Sequence, residues 1–284
     1  MARSETTTRV LVAAAGIPVA LAAIYLGGWV LAGLLAVVVT IAVRELFRMA
    51  ALKQARGLSL LGTLGTLALV AAAASAPHRG IDNPLLFAVL ALLVLAASTS
   101  AIWQRGVEQQ PLLSVAVTVF GAAYTGLLIF GLFLRELPGI ASPWHGAALL
   151  LAPVLMTWVS DSAAYFGGRA FGQHKLIPKV SPGKTVEGAA SAVVVTLLAA
   201  VGYAFVLRLF PTYRISLPEA ALFGVLMSVG AQVGDLTESL FKRDVGVKDS
   251  GTLLPGHGGA LDRFDSLFFT LPLAYALLRF VVGA

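Results

Sequence analysis

Acidic side chains recur at helical spacing in the last quarter of the chain, in a pattern that suits cation binding. One stretch carries four polar positions that would share a helix face: Asp235, Glu238, Ser239 and Lys242. Asp262 and Asp265 repeat the three-residue spacing further along. Carboxylates from two helices can bracket a hard cation such as Mg²⁺, which prefers oxygen ligands and retains waters or substrate phosphates. The same acids can instead pair with Lys242, Arg243 and Arg263 at a membrane interface, so spacing alone leaves both interpretations open.

A second polar segment, residues 178–188, places cations just before a predicted helix. Lys179, Lys184 and Thr185 precede the helix N-terminus, where backbone N–H groups and the helix dipole favour anions. Residues 181–185 (Ser-Pro-Gly-Lys-Thr) invite comparison with a Walker A loop, but a proline stands at position 178, where that motif requires glycine. The segment therefore predicts a simpler phosphate site. A capped helix behind a topology-setting basic loop is the alternative.

A third segment centres on Asp161, which lies inside an apolar run between two serines. An aspartate at the centre of a membrane helix costs about 2.5–3.5 kcal/mol on insertion scales, so such residues normally face a polar cavity. We therefore expect Asp161 to face the same cavity as Asp235. Glycines and cations follow between residues 167 and 175, and they fit either a further phosphate contact or an ordinary helix end.

The loop between residues 251 and 259 is rich in glycine and contains His257. Glycines allow backbone N–H groups to approach an anion closely, which would form an anion-binding nest. An ordinary flexible loop is the alternative. His257 by itself is more typical of a loop histidine than of a catalyst, and no histidine-rich metal spacing accompanies it in the sequence.

The elements that must position these residues are membrane helices. Of the 284 residues, 58% are hydrophobic and only 12% are charged, whereas soluble domains carry about 25% charged residues. Nine mainly apolar runs approach the roughly 20 residues that a spanning helix needs. They are residues 10–26, 29–43, 58–76, 84–103, 112–134, 146–166, 188–207, 217–240 and 265–283. The sequence therefore predicts an all-α, polytopic integral membrane protein with about nine transmembrane helices.

Basic residues set the predicted orientation. With nine spans, fifteen of the 20 lysines and arginines fall on the side of the N-terminus and five on the other side. Short cytoplasmic loops carry the excess of Lys and Arg in membrane proteins, so the N-terminus is predicted to be cytoplasmic. Loop charges explain the net charge of +6, and we expect no nucleic acid as a partner. The sequence contains no cysteine, which excludes disulfides, thiolate metal ligands and a cysteine nucleophile.

Acid placement divides the chain into two regions. Residues 1–145 hold acids only at or near predicted span ends, and we interpret them as a membrane scaffold of spans one to five. Residues 146–284 hold nine of the 14 acids, and we interpret them as a catalytic region of spans six to nine with cytoplasmic loops. Acidic side chains that can bind cations, together with lysines and arginines that can bind phosphates, indicate phosphoryl chemistry. Such chemistry depends on positioning and charge neutralisation. One substrate is expected to be amphiphilic, because two water-soluble substrates would not need nine spans.

Residues 239–265 closely resemble the signature of the phosphatidate cytidylyltransferases, also called CDP-diacylglycerol synthases. Residues 160–161, 167–169 and 181–188 also look like that family, and the resemblance covers residues 156–266. The N-terminal half matches only in hydrophobicity. The resemblance implies a reaction of phospholipid biosynthesis, in which CTP and phosphatidic acid give CDP-diacylglycerol and pyrophosphate. The lipid phosphate oxygen would attack the α-phosphorus of CTP in line.

The resemblance also implies which residues act. The implied Mg²⁺ ligands are Asp235 and Asp262, joined by Asp161 and Asp265, and a monovalent cation such as K⁺ is allowed for beside them. The implied catalytic residues are Asp235, Asp262, Lys242 and Arg243. The implied substrate-binding residues are Ser181, Lys184, Thr185, Lys248, His257, Gly258, Gly259 and Arg263. Because the attacking phosphate is already ionised, His257 is interpreted as a binder rather than a base. The resemblance also allows for a homodimer within the lipid membrane.

Two other functions stay open at this point. A CTP-dependent kinase of a polyprenol or another lipid alcohol would release CDP rather than pyrophosphate. A transporter or channel for a phosphorylated solute would need a cavity open to both faces, whereas the side opposite the N-terminus offers few polar residues. The chain lacks a long hydrophilic N-terminal extension, so we expect the bacterial cytoplasmic membrane rather than the endoplasmic reticulum, with the active site facing the cytoplasm.

Overall fold

The computed structural model describes residue 14 and residues 16–140, 142–209, 215–251 and 258–282. Its helices are α1 (Gly16–Leu26), α2 (Gly28–Leu52), α3 (Ser59–Ser75), α4 (Pro84–Gln104), α5 (Pro111–Gly126), α6 (Phe130–Arg135), α7 (Pro143–Phe171), α8 (Val186–Leu207), α9 (Leu217–Asp244), α10 (Leu261–Phe264) and α11 (Leu267–Phe280). Two short strands, β1 (Lys175–Ile177) and β2 (Ser181–Thr185), form an antiparallel hairpin between α7 and α8. Single 3₁₀ segments, Pro77–Asp82 and Leu127–Ile129, connect α3 to α4 and α5 to α6.

Each of the nine predicted apolar runs coincides with a helix in the described part of the chain. Among the described residues, six helical stretches are long and apolar enough to cross a membrane: Gly28–Leu52, Pro84–Gln104, Pro111–Arg135, Pro143–Phe171, Val186–Leu207 and Leu217–Asp244. Helices α1, α3 and α11 are apolar but shorter, with α3 at 17 residues and α11 at 14. The predicted all-α, polytopic membrane architecture is confirmed, whereas the number of nine spans stays a prediction.

The starts of α4 and α7 follow from proline and a capping side chain. Pro84 and Pro143 occupy the first helical position, where the missing N–H group would have no helical partner. The Asn83 side chain accepts a hydrogen bond from the Leu85 N–H at 3.1 Å. Ser142 accepts one from the His145 N–H at 3.2 Å. These caps satisfy helix N–H groups that would otherwise lack partners.

Contacts within the chain define two compact units, and the first comprises Met1–Phe133 together with Asp244–Arg263. Its helices α2, α3 and α5 pack closely where glycines face an aromatic ring. The Phe47 ring of α2 lies against Gly62 of α3 and Gly121 of α5, and a Cβ at either glycine would collide with it. The segment 244–263 therefore belongs to the same unit as the helices interpreted as a scaffold.

The second unit comprises Leu134–Arg243 and Phe264–Ala284, and it contains α7, α8, α9, α11 and the hairpin. Helices α7 and α8 approach so closely at Gly167 that a Cβ there would collide with Ser191. Buried hydroxyls join α7 to α9, where Ser160 Oγ lies 3.1 Å from Ser228 Oγ. The predicted boundary between residues 145 and 146 separates functions rather than compact units, and it stays a prediction.

Candidate active site

A cavity of about 480 Å³ lies in the second unit, among α7, α8, α9 and the hairpin. Its lining contains five of the predicted site residues: Asp161, Ser181, Lys184, Thr185 and Asp235. The expectation that Asp161 and Asp235 face one cavity agrees with this lining. Arg169, one of the cations for which a phosphate contact was left open, also lines it, together with two polar side chains that had no predicted binding role, Tyr165 and Gln232. Gln232 lies three residues before Asp235 in an otherwise apolar run, which is the signal that could have identified it.

Opposite charges meet in this cavity. Lys184 Nζ lies 2.6 Å from Asp235 Oδ2, and the two side chains are 25% and 37% exposed. Ser239 Oγ donates a hydrogen bond to the other oxygen of Asp235 at 3.2 Å. Asp161 interacts electrostatically with both Asp235 and Lys184. The cavity thus presents two partly solvated carboxylates and one ammonium, which are groups that can rearrange around a charged ligand.

A second acidic group lies on α9 and on the turn that precedes α11. The Glu238 side chain is fully buried, and Lys242 Nζ lies 3.5 Å from Glu238 Oε1. The Asp265 carboxyl group interacts with the side chain of Glu238, and its Oδ1 accepts a hydrogen bond from the Ser266 N–H at 2.6 Å. The contact of Lys242 with Glu238 is the ion pairing that the sequence left open, and the catalytic role of Lys242 stays a prediction.

The hairpin leads into the N-terminus of α8. Thr185 caps that helix, because its Oγ1 accepts a hydrogen bond from the Gly188 N–H at 3.1 Å. The Val186 N–H donates to the carbonyl oxygen of His174 at 2.9 Å. Two of the first three N–H groups of α8 are therefore already used within the protein. Anion binding at this position must come from the helix dipole and from side chains such as Lys184, rather than from those N–H groups.

Glu187 anchors the start of the hairpin to α8. Its carboxylate accepts hydrogen bonds from the backbone N–H of Gln173 at 3.0 Å and of His174 at 3.2 Å. His174 Nδ1 lies 2.6 Å from Glu187 Oε1. Sequence reasoning assigned no role to Glu187, although an acid in the first turn of a helix is a common capping signal. The contacts indicate that it sets the position of the strands that carry Ser181 and Lys184.

In the first unit, Asp262 organises its own loop. Its Oδ2 accepts hydrogen bonds from Ser250 N at 2.9 Å, Ser250 Oγ at 2.8 Å and Gly259 N at 2.8 Å. Gly258 adopts φ +78°, in the left-handed region that favours glycine. One oxygen of Asp262 therefore already accepts hydrogen bonds from two groups of Ser250 and one of Gly259. Its role as a metal ligand stays a prediction.

The same loop contacts a second carboxylate, from α2. Glu45 is 2% exposed and accepts hydrogen bonds from Ala260 N at 3.1 Å, Leu261 N at 2.8 Å and Ser250 Oγ at 3.3 Å. In the sequence, Glu45 is one of the acids at or near predicted span ends, and no part in the chemistry was predicted for it. Arg44 and Arg48 lie beside it on α2, so the sequence alone did not separate Glu45 from an acid at a membrane interface.

The other predicted site residues lie outside the cavity lining. Arg243 is exposed and its Nε donates to the Val180 carbonyl oxygen at 3.4 Å. Lys248 and Arg263 are exposed in the first unit. His257 lies outside the described residues. The predicted pairing of Asp235 with Asp262 joins residues of the two units, and it stays a prediction.

The cavity offers the carboxylates of Asp161 and Asp235 to a divalent metal. Within the described residues, no three histidine, aspartate or glutamate side chains form a ready-made metal site. Mg²⁺ does not need one, because it commonly binds through one or two carboxylates and completes its shell with waters and substrate phosphates. Asp161 and Asp235 in one polar cavity fit that mode of binding. They do not fit a metal that requires a complete protein cage.

The fold and the cavity together define a polytopic membrane protein with a charged cavity among its helices. The family model described as "Cytidylyltransferase family" matches residues 7–281, and the chain belongs to that family. The predicted family resemblance, and with it the prediction of an enzyme of this family, is confirmed.

Individual relatives support the same family. The chain is 32% identical to a phosphatidate cytidylyltransferase of Synechocystis over 292 residues, which cover 95% of each chain. It is 36% identical to one of Staphylococcus haemolyticus over 214 residues, which cover 70% of this chain and 80% of the relative. It is 45% identical to one of Staphylococcus saprophyticus over 134 residues, where the chain spans about half the length of that relative (50%).

Proposed function

We propose that this protein transfers a cytidylyl group from CTP to phosphatidic acid, giving CDP-diacylglycerol and pyrophosphate in phospholipid biosynthesis. One observation carries the proposal: Asp161, Lys184 and Asp235 line one polar cavity of a membrane helix unit. The names of the relatives give the substrates, and the cavity gives the charges that a triphosphate and a lipid phosphate require. A reaction between a membrane lipid and a nucleotide needs such a cavity within reach of the bilayer.

The proposed reaction exchanges one phosphoanhydride bond for another. An oxygen of the phosphatidic acid phosphate forms a bond to the α-phosphorus of CTP. The bond from that phosphorus to the α,β-bridging oxygen breaks, and pyrophosphate leaves with the bond electrons. No proton has to be removed from the attacking oxygen, so the chain needs no strong general base. Its task is to align the two anions and to reduce their repulsion.

Lys184 is the residue best placed to bind phosphate. Its ammonium nitrogen is buried and contacts Asp235 at 2.6 Å inside the cavity that it lines, so a phosphate entering the cavity would meet this charge beside the carboxylate. Ser181 and Thr185 belong to the same strand and line the same cavity. Arg169 adds a cation to the lining. We propose Arg243, Lys242, Lys248, Arg263, His257, Gly258 and Gly259 as further substrate contacts, as the family resemblance implies.

We propose Mg²⁺ as the cofactor, with Asp161 and Asp235 as ligands in the cavity, and Asp262 and Asp265 as the further ligands that the resemblance implies. A bound Mg²⁺ would supply charge neutralisation on the phosphates. Asp235 is held for this purpose by Ser239, whose hydroxyl fixes one of its oxygens at 3.2 Å. A monovalent cation such as K⁺ is proposed beside the divalent one.

Product analysis tests the proposed function directly. Purified protein in detergent, supplied with labelled CTP, phosphatidic acid and Mg²⁺, is expected to release pyrophosphate and CDP-diacylglycerol in equal amounts. Release of CDP with a lipid alcohol as substrate would instead establish the kinase alternative. Uptake of a phosphorylated solute into proteoliposomes without nucleotide turnover would establish the transporter alternative. Activity with Mg²⁺ chelated by EDTA would contradict the proposed cofactor while leaving the transfer reaction intact.

We further propose that the protein resides in a bacterial cytoplasmic membrane with its active site facing the cytoplasm. The bacterial relatives and the apolar helices support this location. Labelling of cysteines introduced at positions 179 and 248 by a membrane-impermeant reagent is expected only after the cells are opened. A homodimer remains a prediction of the resemblance, and chemical cross-linking in native membranes would test it.

A further inference from the structure

We infer that Glu45 is a positioning residue for the described parts of the segment 250–262, which are residues 250–251 and 258–262, and that it fixes the backbone that carries Asp262 and Arg263. This inference rests on the proposed function, because it assigns the segment a place in cytidylyl transfer. Glu45 lies on α2, and the sequence had predicted that this helix belongs to the membrane scaffold. Both Glu45 and the segment belong to the first compact unit.

Glu45 is joined to residues 260 and 261 by two hydrogen bonds. Glu45 Oε1 accepts from Ala260 N at 3.1 Å, and Oε2 accepts from Leu261 N at 2.8 Å. These two N–H groups are at the start of the short helix that contains Asp262 and Arg263. A buried backbone N–H without a partner is costly, and Glu45 supplies the partners for two adjacent groups. Its carboxylate thereby fixes where that helix begins.

Ser250 links Glu45 to Asp262. Its hydroxyl lies 3.3 Å from Glu45 Oε2 and 2.8 Å from Asp262 Oδ2. Two carboxylates from distant parts of the sequence therefore share one hydroxyl group. The backbone N–H of Ser250 also donates to Asp262 at 2.9 Å. A change in the position of Glu45 is transmitted to Asp262 through Ser250 and through the residues 260–261.

Glycines make the close approach of Glu45 possible. A Cβ at Gly251 or at Gly259 would collide with the Glu45 carboxylate. Gly251 and Gly259 therefore both lie against this side chain. Glu45 is 2% exposed, so water cannot replace it as an acceptor without opening the segment. This arrangement differs from an acid that only terminates a membrane span, which would remain exposed at the interface.

The decisive experiment compares Glu45→Gln with Glu45→Asp. Gln replaces one acceptor oxygen by an NH₂ donor, which in either amide orientation faces a backbone N–H, that of Ala260 or that of Leu261. Asp keeps two acceptor oxygens on a shorter stem. We expect the kcat of cytidylyl transfer to fall at least tenfold in Glu45→Gln, with a smaller fall in Glu45→Asp. Glu108→Gln, the same chemical change at an exposed position of the same unit, is the matched control and should keep wild-type kcat.

Amide hydrogen exchange separates positioning from general destabilisation. Without any substrate, exchange at residues 258–264 is expected to accelerate at least tenfold in Glu45→Gln, while residues 175–188 keep their wild-type rates. Equal acceleration in both segments would show a merely structural role and overturn the inference. Wild-type exchange at residues 258–264, or a kcat within twofold of wild type, would also overturn it.

A second variant, Ser250→Ala, and the activity of the wild-type protein complete the test. If Glu45→Gln does not fold, Ser250→Ala is measured, and it is expected to accelerate exchange at residues 258–264 and to lower kcat about threefold to tenfold. No effect of Ser250→Ala on either quantity would refute the link between the carboxylates. A wild-type protein that transfers no cytidylyl group would refute the proposed function instead, and the exchange pattern would still report on Glu45.

Discussion

The cavity of the second unit and the segment 250–262 of the first unit use carboxylates in opposite ways. In the cavity, Asp235 contacts the side chains of Lys184 and Ser239 and is 37% exposed. In the segment, Glu45 and Asp262 accept hydrogen bonds mainly from backbone N–H groups, and Glu45 is 2% exposed. One region keeps its charges accessible, and the other uses them to fix the course of the backbone.

This difference separates two kinds of functional residue. A carboxylate that is itself partly exposed, as Asp235 is, can change partners when a charged ligand arrives, because water or the ligand can replace the contacts that it gives up. A buried carboxylate that satisfies several N–H groups cannot change partners without exposing them. Substitutions in the cavity should therefore lower activity with little effect on stability. Substitutions around Glu45 should lower the order of the segment as well.

The largest effect is expected for Asp235→Asn. The substitution removes the charge that faces Lys184 and that would bind the cation, so kcat/KM for cytidylyl transfer should fall about 100-fold or more. The melting temperature in detergent should change little, since the lost ion pair is partly exposed. A variant with wild-type activity, or one that loses activity only because it unfolds, would contradict the view that the cavity keeps its charges for ligands.

The next effect is expected for Lys184→Met, which keeps most of the length of the unbranched side chain but removes its charge. Loss of a charged contact to phosphate corresponds to about 1.5–3 kcal/mol, or roughly a ten- to hundredfold rise in the KM for CTP. Steady-state kinetics over a range of CTP concentrations would measure it. Lys53→Met is a suitable control, because Lys53 forms an exposed contact with Asp244 at 3.8 Å outside the cavity. An equal rise in KM in both variants would remove the special role of Lys184.

A stability effect is expected in the first unit for Gly251→Ala. The added methyl group would collide with the Glu45 carboxylate, and such overpacking costs about 1–3 kcal/mol of unfolding free energy. Gly33→Ala provides the comparison, because a Cβ at Gly33 on α2 meets no atom within 4 Å. Thermal unfolding in detergent should distinguish the two variants. Equal melting temperatures would show that the segment can move away from Glu45 at little cost.

The smallest effect is expected for Glu187→Gln, which weakens the anchor between the hairpin and α8. The Glu187 side chain is 25% exposed, so water can replace part of its contacts with Gln173 and His174. We expect roughly a three- to tenfold rise in the KM for CTP, with kcat nearly unchanged. A loss as large as that of Glu45→Gln would show that exposure does not determine how strongly an anchoring carboxylate acts.

The membrane helices could be predicted from the sequence because lipid imposes long apolar runs. The cavity residues were also accessible to sequence reasoning, since Asp161 and Asp235 are polar exceptions in such runs. Helix α9 continues to Asp244, so Asp235, Ser239 and Lys242 lie on one helix, as their spacing predicted. In these cases a local pattern reflects a local requirement of the fold.

The hairpin and the role of Glu45 could not be predicted in the same way. Strands of three and five residues rich in proline, glycine and lysine show no alternation of polar and apolar residues. Glu45 acts on residues more than 200 positions later in the chain, as its 216-residue separation from Leu261 shows. Its position near a span end is the same as that of acids that only contact water. A long-range partner of this kind leaves no signature in a single sequence.

The insertion of Phe47 between Gly62 and Gly121 has a consequence for Glu45, which lies two residues earlier on the same helix. A ring wedged between two neighbouring helices blocks rotation of α2 about its own axis. The direction in which Glu45 points from α2 is therefore determined by apolar contacts of Phe47. A bulkier residue at position 62 would turn the carboxylate out of alignment, and a smaller residue at position 47 would be the natural compensating change.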